Sequence, residues 1–210
     1  MYFCLKRFFD IILSALGLVL LSPVLLVCAL LIRLTSPGPA LFTQKRAGRN
    51  GTYFKIYKFR TMYCDAPMNI PTQDLQDPFR FITPIGRFLR MSSLDELPQL
   101  LNILRGDMSI IGPRPALFNE YELIAARKAV NVDSVRPGLT GLAQISGRDE
   151  LEQDTKVRLD NEYVSALHAG FFSGLKMDAR CFFGTFASVL RHDGFVEGGT
   201  GALHKRKDTK

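Results

Sequence analysis

Residues 87–102 read RFLRMSSLDELPQLLN, and the rest of the chain is organised around this stretch. Ser93 precedes Glu96 by three positions and apolar residues follow, which is the pattern of a capping box at a helix start. Asp95 and Glu96 therefore fall in the predicted first turn. At that end of a helix the free N–H groups and the positive dipole attract anions such as phosphate.

Asp95 and Glu96 are the candidate catalytic residues. We expect the helix dipole, Arg87 and Arg90 to hold Asp95 ionised, so that it can act as a nucleophile or metal ligand without a separate base. Glu96 beside it is suited to moving a proton or assisting a leaving group. An acidic first turn also begins ordinary helices, so the motif alone leaves a purely structural role open.

A segment with a basic residue follows Asp95 and Glu96, the two residues that we call the dyad. Residues 108–111, Met-Ser-Ile-Ile, predict a short strand, and residues 112–115 read Gly-Pro-Arg-Pro. The two prolines favour an extended backbone that aims Arg114 in a fixed direction. A rigid arginine near a helix start suits a phosphate or a diphosphate.

The composition limits the class of protein. The chain has 210 residues, with 27 Lys and Arg against 20 Asp and Glu, which gives a net charge of +7. This balance favours anionic partners, namely nucleic acid, an anionic membrane surface or phosphorylated substrates. The 4 cysteines are scattered and the 3 histidines are far apart. These spacings argue against a disulfide framework, a zinc site and a Ser-His-Asp triad.

Residues 11–32 form an uncharged run that is long enough to be a membrane helix. Ser22-Pro23 interrupts it, so it is either a single span kinked at the proline or a re-entrant hairpin. Basic residues flank both ends, and the positive-inside rule then places both ends in the cytoplasm. Pro23 leaves the carbonyl of Val19 without its helical donor, and the Ser22 hydroxyl could satisfy it. The residues alone leave both topologies open.

Residues 42–62 alternate apolar and cationic side chains around a turn at residues 49–51, which predicts a β-hairpin. We place Lys55 and Lys58 on its cationic face. That face is either a solvated or membrane-contacting surface, or it brings a lysine to a phosphate.

The remaining segments predict scaffold elements. Residues 63–80 lack a period and are interpreted as a loop. A helix is predicted from Ala116 to about Val130, with Arg127 on its solvated face. The glycines of residues 135–148 allow either close approach to a ligand or tight turns, and no P-loop motif occurs.

The C-terminal part predicts one more helix, with apolar residues at helical spacing from Leu175 to Leu190 and basic residues among them. It either packs on the core or lies in the headgroup layer of a membrane, and we favour the membrane. Residues 193–210 are predicted to be a basic, disordered tail.

Taken in order, these motifs resemble those of the bacterial sugar transferases, the monotopic polyprenol-phosphate phosphoglycosyltransferases of the short single-domain type. The resemblance covers roughly residues 5–180. The matching segments are residues 6–10 with the Ser22-Pro23 break, 55–62, 93–99, 106–109, 112–115 and 136–141.

The resemblance implies an enzyme that moves a sugar-1-phosphate from a UDP-sugar to a polyprenyl phosphate and releases UMP. Asp95 would be the nucleophile and a ligand of Mg²⁺, and Glu96 would assist. The residues that the resemblance assigns to binding phosphate or nucleotide are Lys58, Arg90, Pro113, Arg114 and Arg148. A membrane-anchored binding protein without activity and a glycosyltransferase that releases UDP remain the alternatives.

The expected fold class is α+β and mainly helical, with a short β-hairpin and interfacial amphipathic helices. The resemblance favours the re-entrant topology, so we expect a re-entrant membrane segment at residues 1–33, a catalytic domain at residues 34–192 and the tail. The expected location is the cytoplasmic face of the bacterial inner membrane, as a monotopic protein. The expected partners are a UDP-sugar, polyprenyl phosphate and an anionic bilayer, with a homodimer left open and nucleic acid excluded.

Overall fold

The structure is a computed structural model that describes residues 1–67, 78–147 and 151–191. Helices dominate these residues, as predicted. The helices are α1 (Tyr2–Thr35), α2 (Pro84–Met91), α3 (Leu100–Arg105), α4 (Tyr121–Ala129), α5 (Leu142–Ile145), α6 (Gln153–His168) and α7 (Phe171–Arg191). The strands are β1 (Leu41–Ala47), β2 (Tyr53–Phe59), β3 (Ser109–Ile111) and β4 (Gly138–Thr140). Short 3₁₀ helices cover Arg49–Gly51, Pro78–Phe81, Leu94–Gln99 and Val132–Ser134.

The predicted hairpin is confirmed. Strands β1 and β2 pair antiparallel along their whole length, and a 3₁₀ turn at Arg49–Gly51 joins them. The prediction that Lys55 and Lys58 share a face is wrong, because residues three apart in a strand point to opposite sides. Lys55 is exposed, whereas Lys58 points toward the 3₁₀ helix that carries the dyad.

A second small sheet joins the two glycine-containing segments. Strand β3 confirms the strand predicted at residues 108–111, and it pairs parallel with β4. The pairing brings two backbones so close that a Cβ atom on Gly138 would lie 2.1 Å from the nitrogen of Gly112. These glycines therefore serve the contact between two backbone segments.

Helix α1 is 34 residues long and continues through Pro23, so the predicted interruption of the helix at Ser22-Pro23 is not confirmed. The Ser22 hydroxyl donates to the carbonyl of Val19 at 2.8 Å, which confirms the predicted contact. The middle of the helix is exposed, with Val19 and Leu20 at 72% and 74%. By length and composition α1 is able to cross a membrane, with a mean hydropathy of 2.8 in its most apolar window.

Both ends of α1 are fastened to the rest of the protein. Near the N-terminus, Lys6 forms an ion pair with Asp178 of α7 at 2.7 Å. One turn later, the Asp10 carboxylate accepts from the backbone nitrogen of Ile110 in β3 at 2.9 Å. At the other end, Arg60 donates to the carbonyl of Ser36 at 2.8 Å and closes the helix C-terminus. The two ends thus attach to the same folded body.

Helix α4 begins at Tyr121 and not, as predicted, at Ala116. The preceding residues pair with strand β1 instead, since the carbonyl of Ala116 accepts from the nitrogen of Ala47 at 2.9 Å. The Glu120 carboxylate accepts from the nitrogen of Leu117 and holds this extended segment in place. Tertiary pairing therefore overrides the helical propensity of these residues.

Helices α2 and α6 were not predicted from the sequence. The Thr83 hydroxyl caps α2 by accepting from the nitrogen of Gly86 at 2.9 Å. Part of the predicted loop, residues 68–77, and the predicted tail lie outside the described residues. Helix α7 confirms the predicted C-terminal helix, and it exposes Phe172 at 82% and Phe183 at 69%.

Candidate active site

The dyad lies on the 3₁₀ helix Leu94–Gln99, directly before α3. The predicted capping box is wrong, because Ser93 adopts a left-handed conformation with φ 57° and its side chain caps nothing. Pro98 lacks the N–H that a regular α-helical first turn would use, which favours the tighter 3₁₀ form here. Asp95 and Glu96 still occupy the first turn, as expected.

Two basic side chains from separate parts of the chain meet at Glu96. The Nζ atom of Lys58 lies 2.8 Å from Oε1 of Glu96, and Nη2 of Arg114 lies 3.0 Å from the same oxygen. Lys58 comes from the hairpin arm (residues 41–59) and Arg114 from the proline arm (residues 109–115). The structure thus brings together three predicted site residues that are far apart in sequence.

Asp95 lies next to Glu96 on the same 3₁₀ helix without sharing these ion pairs. It is 9% exposed, and no hydrogen bond or ion pair of its carboxylate is seen among residues 1–67, 78–147 and 151–191. Arg90 stands nearby and donates through Nε to the Thr61 hydroxyl at 2.9 Å. Its charge, with those of Lys58 and Arg114, favours the ionised form of Asp95.

Neighbouring charges give the two carboxyl groups opposite properties. Burial and the negative charge of Glu96 raise the pKa of Asp95 to about 6, although the three cations oppose this shift. Burial also acts on Glu96, but Arg114 and Lys58 outweigh it and hold its pKa well below the usual range. Burial, which was not visible in the sequence, therefore places the pKa of Asp95 above its usual value. At pH 7 Asp95 is still mainly ionised.

The proline arm is not extended throughout, contrary to the prediction from its two prolines, because its backbone bends at Gly112 and Pro113 after strand β3 ends. The nitrogen of Gly112 donates to the carbonyl of Thr140 at 2.8 Å, and the carbonyl of Pro113 accepts from the nitrogen of Gly138 at 2.9 Å. Pro113 is buried behind Arg114, which remains partly exposed toward the dyad. Arg148, the last predicted substrate-binding residue, lies outside the described residues.

Sequence analysis missed three buried polar side chains that support the site. Arg127, predicted to be solvated, donates to the Asp160 carboxylate and to the carbonyl of Arg114. The Asn102 amide bonds the backbone of β2 at Lys55 and Tyr57. A signal existed for Asp160, because it falls within the buried stripe of α6 formed by residues 159, 160, 163, 164 and 167. A charged residue at core spacing indicates a buried partner.

The dyad could hold a metal ion only with help from a ligand. In the described ranges no group of three or more His, Cys, Asp or Glu side chains is placed to bind a metal. Magnesium is commonly bound through one or two carboxylates together with substrate phosphates. Asp95 fits this arrangement, whereas Oε1 of Glu96 is already bound by two cations.

A family model described as "Bacterial sugar transferase" matches residues 1–192 of the chain. The chain belongs to the bacterial sugar transferase family. This membership confirms the resemblance inferred from the motifs.

Three relatives illustrate the range of the family. The chain is 49% identical over 146 residues to the UDP-glucose:undecaprenyl-phosphate glucose-1-phosphate transferase of Caulobacter vibrioides, which covers 68% of this chain and 54% of the relative. It is 42% identical over 174 residues to the exopolysaccharide production protein ExoY of Sinorhizobium fredii, with 76% of each covered. It is 39% identical over 208 residues to the undecaprenyl-phosphate galactose phosphotransferase of Salmonella typhimurium, with 90% and 41% covered. The chain thus spans about half the length of the Caulobacter relative and less of the Salmonella one.

Proposed function

We propose that this chain moves a sugar-1-phosphate from a UDP-sugar to a polyprenyl phosphate, such as undecaprenyl phosphate, and releases UMP. The observation that carries the proposal is the arrangement of the dyad. Glu96 binds one cation from each arm, while Asp95 lies buried beside it with its carboxylate outside these ion pairs. The named activities of the Caulobacter and Salmonella relatives support the same classes of substrate.

The reaction proceeds in two displacements at one phosphorus atom. An oxygen of Asp95 attacks the phosphorus that bears the sugar, the bond to the bridging oxygen breaks, and UMP leaves with that oxygen. The phosphosugar is then bound to Asp95 as an acyl phosphate, a mixed anhydride of the carboxylate and the phosphate. An oxygen of the polyprenyl phosphate attacks the same phosphorus and displaces the Asp95 carboxylate, which restores the enzyme. A carboxylate whose pKa is about 6 is a stronger base than an ordinary aspartate and is still mainly ionised at neutral pH.

The surrounding charges bind and orient the diphosphate. Lys58, Arg90 and Arg114 act on a pair of carboxylates, so the site has an excess of positive charge. Lys58 and Arg114 carry further N–H groups besides those that bond Glu96, and Arg90 carries further N–H groups besides the one that bonds Thr61, so each cation can also bind a phosphate oxygen. Glu96 fixes the positions of Lys58 and Arg114 relative to each other, and its low pKa means that it does so in the ionised form.

Magnesium fits this site as a cofactor. Asp95 and the donor diphosphate would hold it, and it would neutralise charge on the transferring phosphoryl group. The residues of the chain perform the remaining tasks. Asp95 attacks, Lys58 and Arg114 orient the phosphates, and burial of the dyad limits competing attack by water.

In the proposed topology, residues 1–33 are a re-entrant segment in which α1 enters the bilayer, bends at Pro23 and returns to the cytoplasmic face, and residues 34–192 form the catalytic domain. Both ends of α1 bind the same folded body, through Asp10 and Arg60, while its apolar middle is exposed. A span that crossed the bilayer would separate these two ends. The exposed phenylalanines of α7 support a position of that helix in the headgroup layer of an anionic bilayer.

Two native cysteines test this topology. Cys4 and Cys64 are free and exposed, and they lie on either side of the apolar run. We expect a membrane-impermeant maleimide to label both in inside-out vesicles and neither in spheroplasts, with Cys4→Ser and Cys64→Ser assigning each signal. Labelling of Cys4 alone in spheroplasts would show that the helix spans the bilayer.

Nucleotide release tests the reaction. The purified protein in nanodiscs is incubated with Mg²⁺, polyprenyl phosphate and a panel of UDP-sugars, and UMP and UDP are measured separately. We expect UMP, together with a labelled phosphosugar adduct on the protein that Asp95→Asn abolishes. The matched control is Asp154→Asn, an exposed aspartate on α6, which should retain both signals. Release of UDP, or an adduct that survives in Asp95→Asn, would refute the proposal.

A further inference from the structure

The backbone of the proline arm is held by three different donors. The carbonyls of residues 113, 114 and 115 accept in turn from the nitrogen of Gly138 at 2.9 Å, Nη1 of Arg127 at 2.8 Å and Nη1 of Arg46 at 3.1 Å. Such support is needed because Pro113 and Pro115 have no N–H with which to extend the pairing of β3. The middle donor binds the residue whose side chain reaches Glu96.

Arg127 is itself held by a buried carboxylate. Its Nε and Nη2 atoms lie 2.9 Å and 2.6 Å from Oδ2 of Asp160, which has a side chain only 1% exposed. A guanidinium group is planar, so binding two of its nitrogens fixes the direction of the third. Helix α6 therefore determines where the carbonyl of Arg114 is held.

We propose that Asp160 and Arg127 are positioning residues for Arg114. They form a relay in which Asp160 orients Arg127, Arg127 holds the backbone of Arg114, and Arg114 then reaches Glu96 at 3.0 Å. The effect on catalysis rests on the proposed function, because the arginine being positioned is the one that would orient the donor diphosphate.

Stability alone does not account for this ion pair. Moving a carboxylate and a guanidinium out of water is costly, and well-packed apolar residues often replace a buried ion pair without loss. What an apolar pair could not supply is a donor aimed at the Arg114 carbonyl. A surface pair between α6 and α7, Glu162 with Arg180 at 3.3 Å, has no such third contact in the part of the chain that the structure describes.

The first experiment compares Asp160→Asn and Arg127→Lys with the control Glu162→Gln. We expect the first two variants to lower the rate of adduct formation about 10- to 100-fold, as for a displaced orienting group, and the control to leave it unchanged. A lysine at position 127 keeps the charge opposite Asp160 but lacks the rigid fork that reaches the Arg114 carbonyl. Arg127→Lys therefore tests the relay even if Asp160→Asn fails to fold. Wild-type rates in both variants would overturn the proposal.

A double-mutant cycle separates positioning from general damage. If Asp160 acts through Arg114, adding Asp160→Asn to Arg114→Lys should lower the rate by less than about threefold further, since the guanidinium has already been removed. Effects that multiply in full would show that Asp160 acts independently of Arg114. If the wild type forms UMP but the effects multiply, the relay is wrong and the proposed function stands.

A second readout needs no substrate. The coupling between Arg114 and Glu96 is measured from the unfolding of Arg114→Lys, Glu96→Gln and the double variant, first in the wild type and then with Arg127→Lys added. The relay predicts that this coupling falls by more than half when Arg127 is replaced. Unchanged coupling would overturn the relay, whatever the activity of the wild type.

Discussion

The hairpin arm and the proline arm bring one cation each to the same oxygen of Glu96, but they are supported in different ways. The hairpin arm consists of two seven-residue strands paired along their length, and Asn102 bonds the outer edge of β2. The proline arm has a three-residue strand followed by prolines, and side chains from distant helices hold it. The comparison indicates that the backbone positions Lys58, whereas tertiary contacts position Arg114.

Glycine substitutions in β4, the strand that pairs with the proline arm, and in the turn of the hairpin arm should give the largest difference. A Cβ atom on Gly138 would lie 2.1 Å from the backbone nitrogen of Gly112, and neither backbone can retreat without breaking the β3–β4 pairing. We expect Gly138→Ala to destabilise the protein by about 3 kcal/mol or more and to abolish adduct formation. Unfolding in detergent measures the first effect, and the labelled adduct measures the second.

The matched control is Gly51→Ala in the hairpin turn. Gly51 has φ +71° but open space around its Cα. Alanine there should lower the free energy of unfolding by about 1 kcal/mol, the cost of a left-handed backbone for a residue with a side chain. Adduct formation should persist in this variant. Equal losses in the two variants would contradict the difference between the arms.

Both arms reach the dyad, and replacing each of its two carboxyl groups should affect the stability of the protein differently. Glu96→Gln leaves Lys58, with a side chain only 16% exposed, without its counter-charge. We expect a loss of roughly 3 kcal/mol in the free energy of unfolding, as when one partner of a buried ion pair is removed. Asp95→Asn should cause no loss of stability, because burial already disfavours the charge of Asp95. A Glu96→Gln variant as stable as the wild type would show that the arms do not depend on Glu96.

The same difference between the arms explains what the sequence could predict. The hairpin followed from local alternation and a turn signal at Asn50-Gly51, whereas the bends of the proline arm at Gly112 and Pro113 did not follow from its two prolines. The dyad followed from its motif, but the pKa of Asp95 depends on burial, which local patterns do not give. Arg127 was misassigned for a related reason, since its partners lie 13 and 33 positions away. Long-range polar contacts leave little trace in helical periodicity.

The pH dependence of adduct formation should report the ionisation of Asp95 alone, without a change in either arm. Glu96 stays ionised across the working range because Arg114 and Lys58 lower its pKa, so the arms keep their common partner. Asp95, with a pKa of about 6, must lose its proton before it can attack. We expect the rate of adduct formation to fall about twofold from pH 7 to pH 6 and about tenfold by pH 5. The measurement omits polyprenyl phosphate, whose own phosphate titrates near pH 6.

Stability should change with pH in the opposite direction to activity. The pKa of Asp95 is raised in the folded protein from 3.8 to about 6, so its protonated form favours folding. This contribution is fully present below the unfolded pKa and is lost as the pH rises through about 6. Asp95→Asn should remove the pH dependence of stability between pH 3.8 and about pH 6.

Arg90→Gln should move the midpoint of adduct formation to higher pH, because Arg90 lowers the pKa of Asp95. A midpoint that stays in place would mean that another group controls the profile, and that Asp95 is not the group that titrates between the arms.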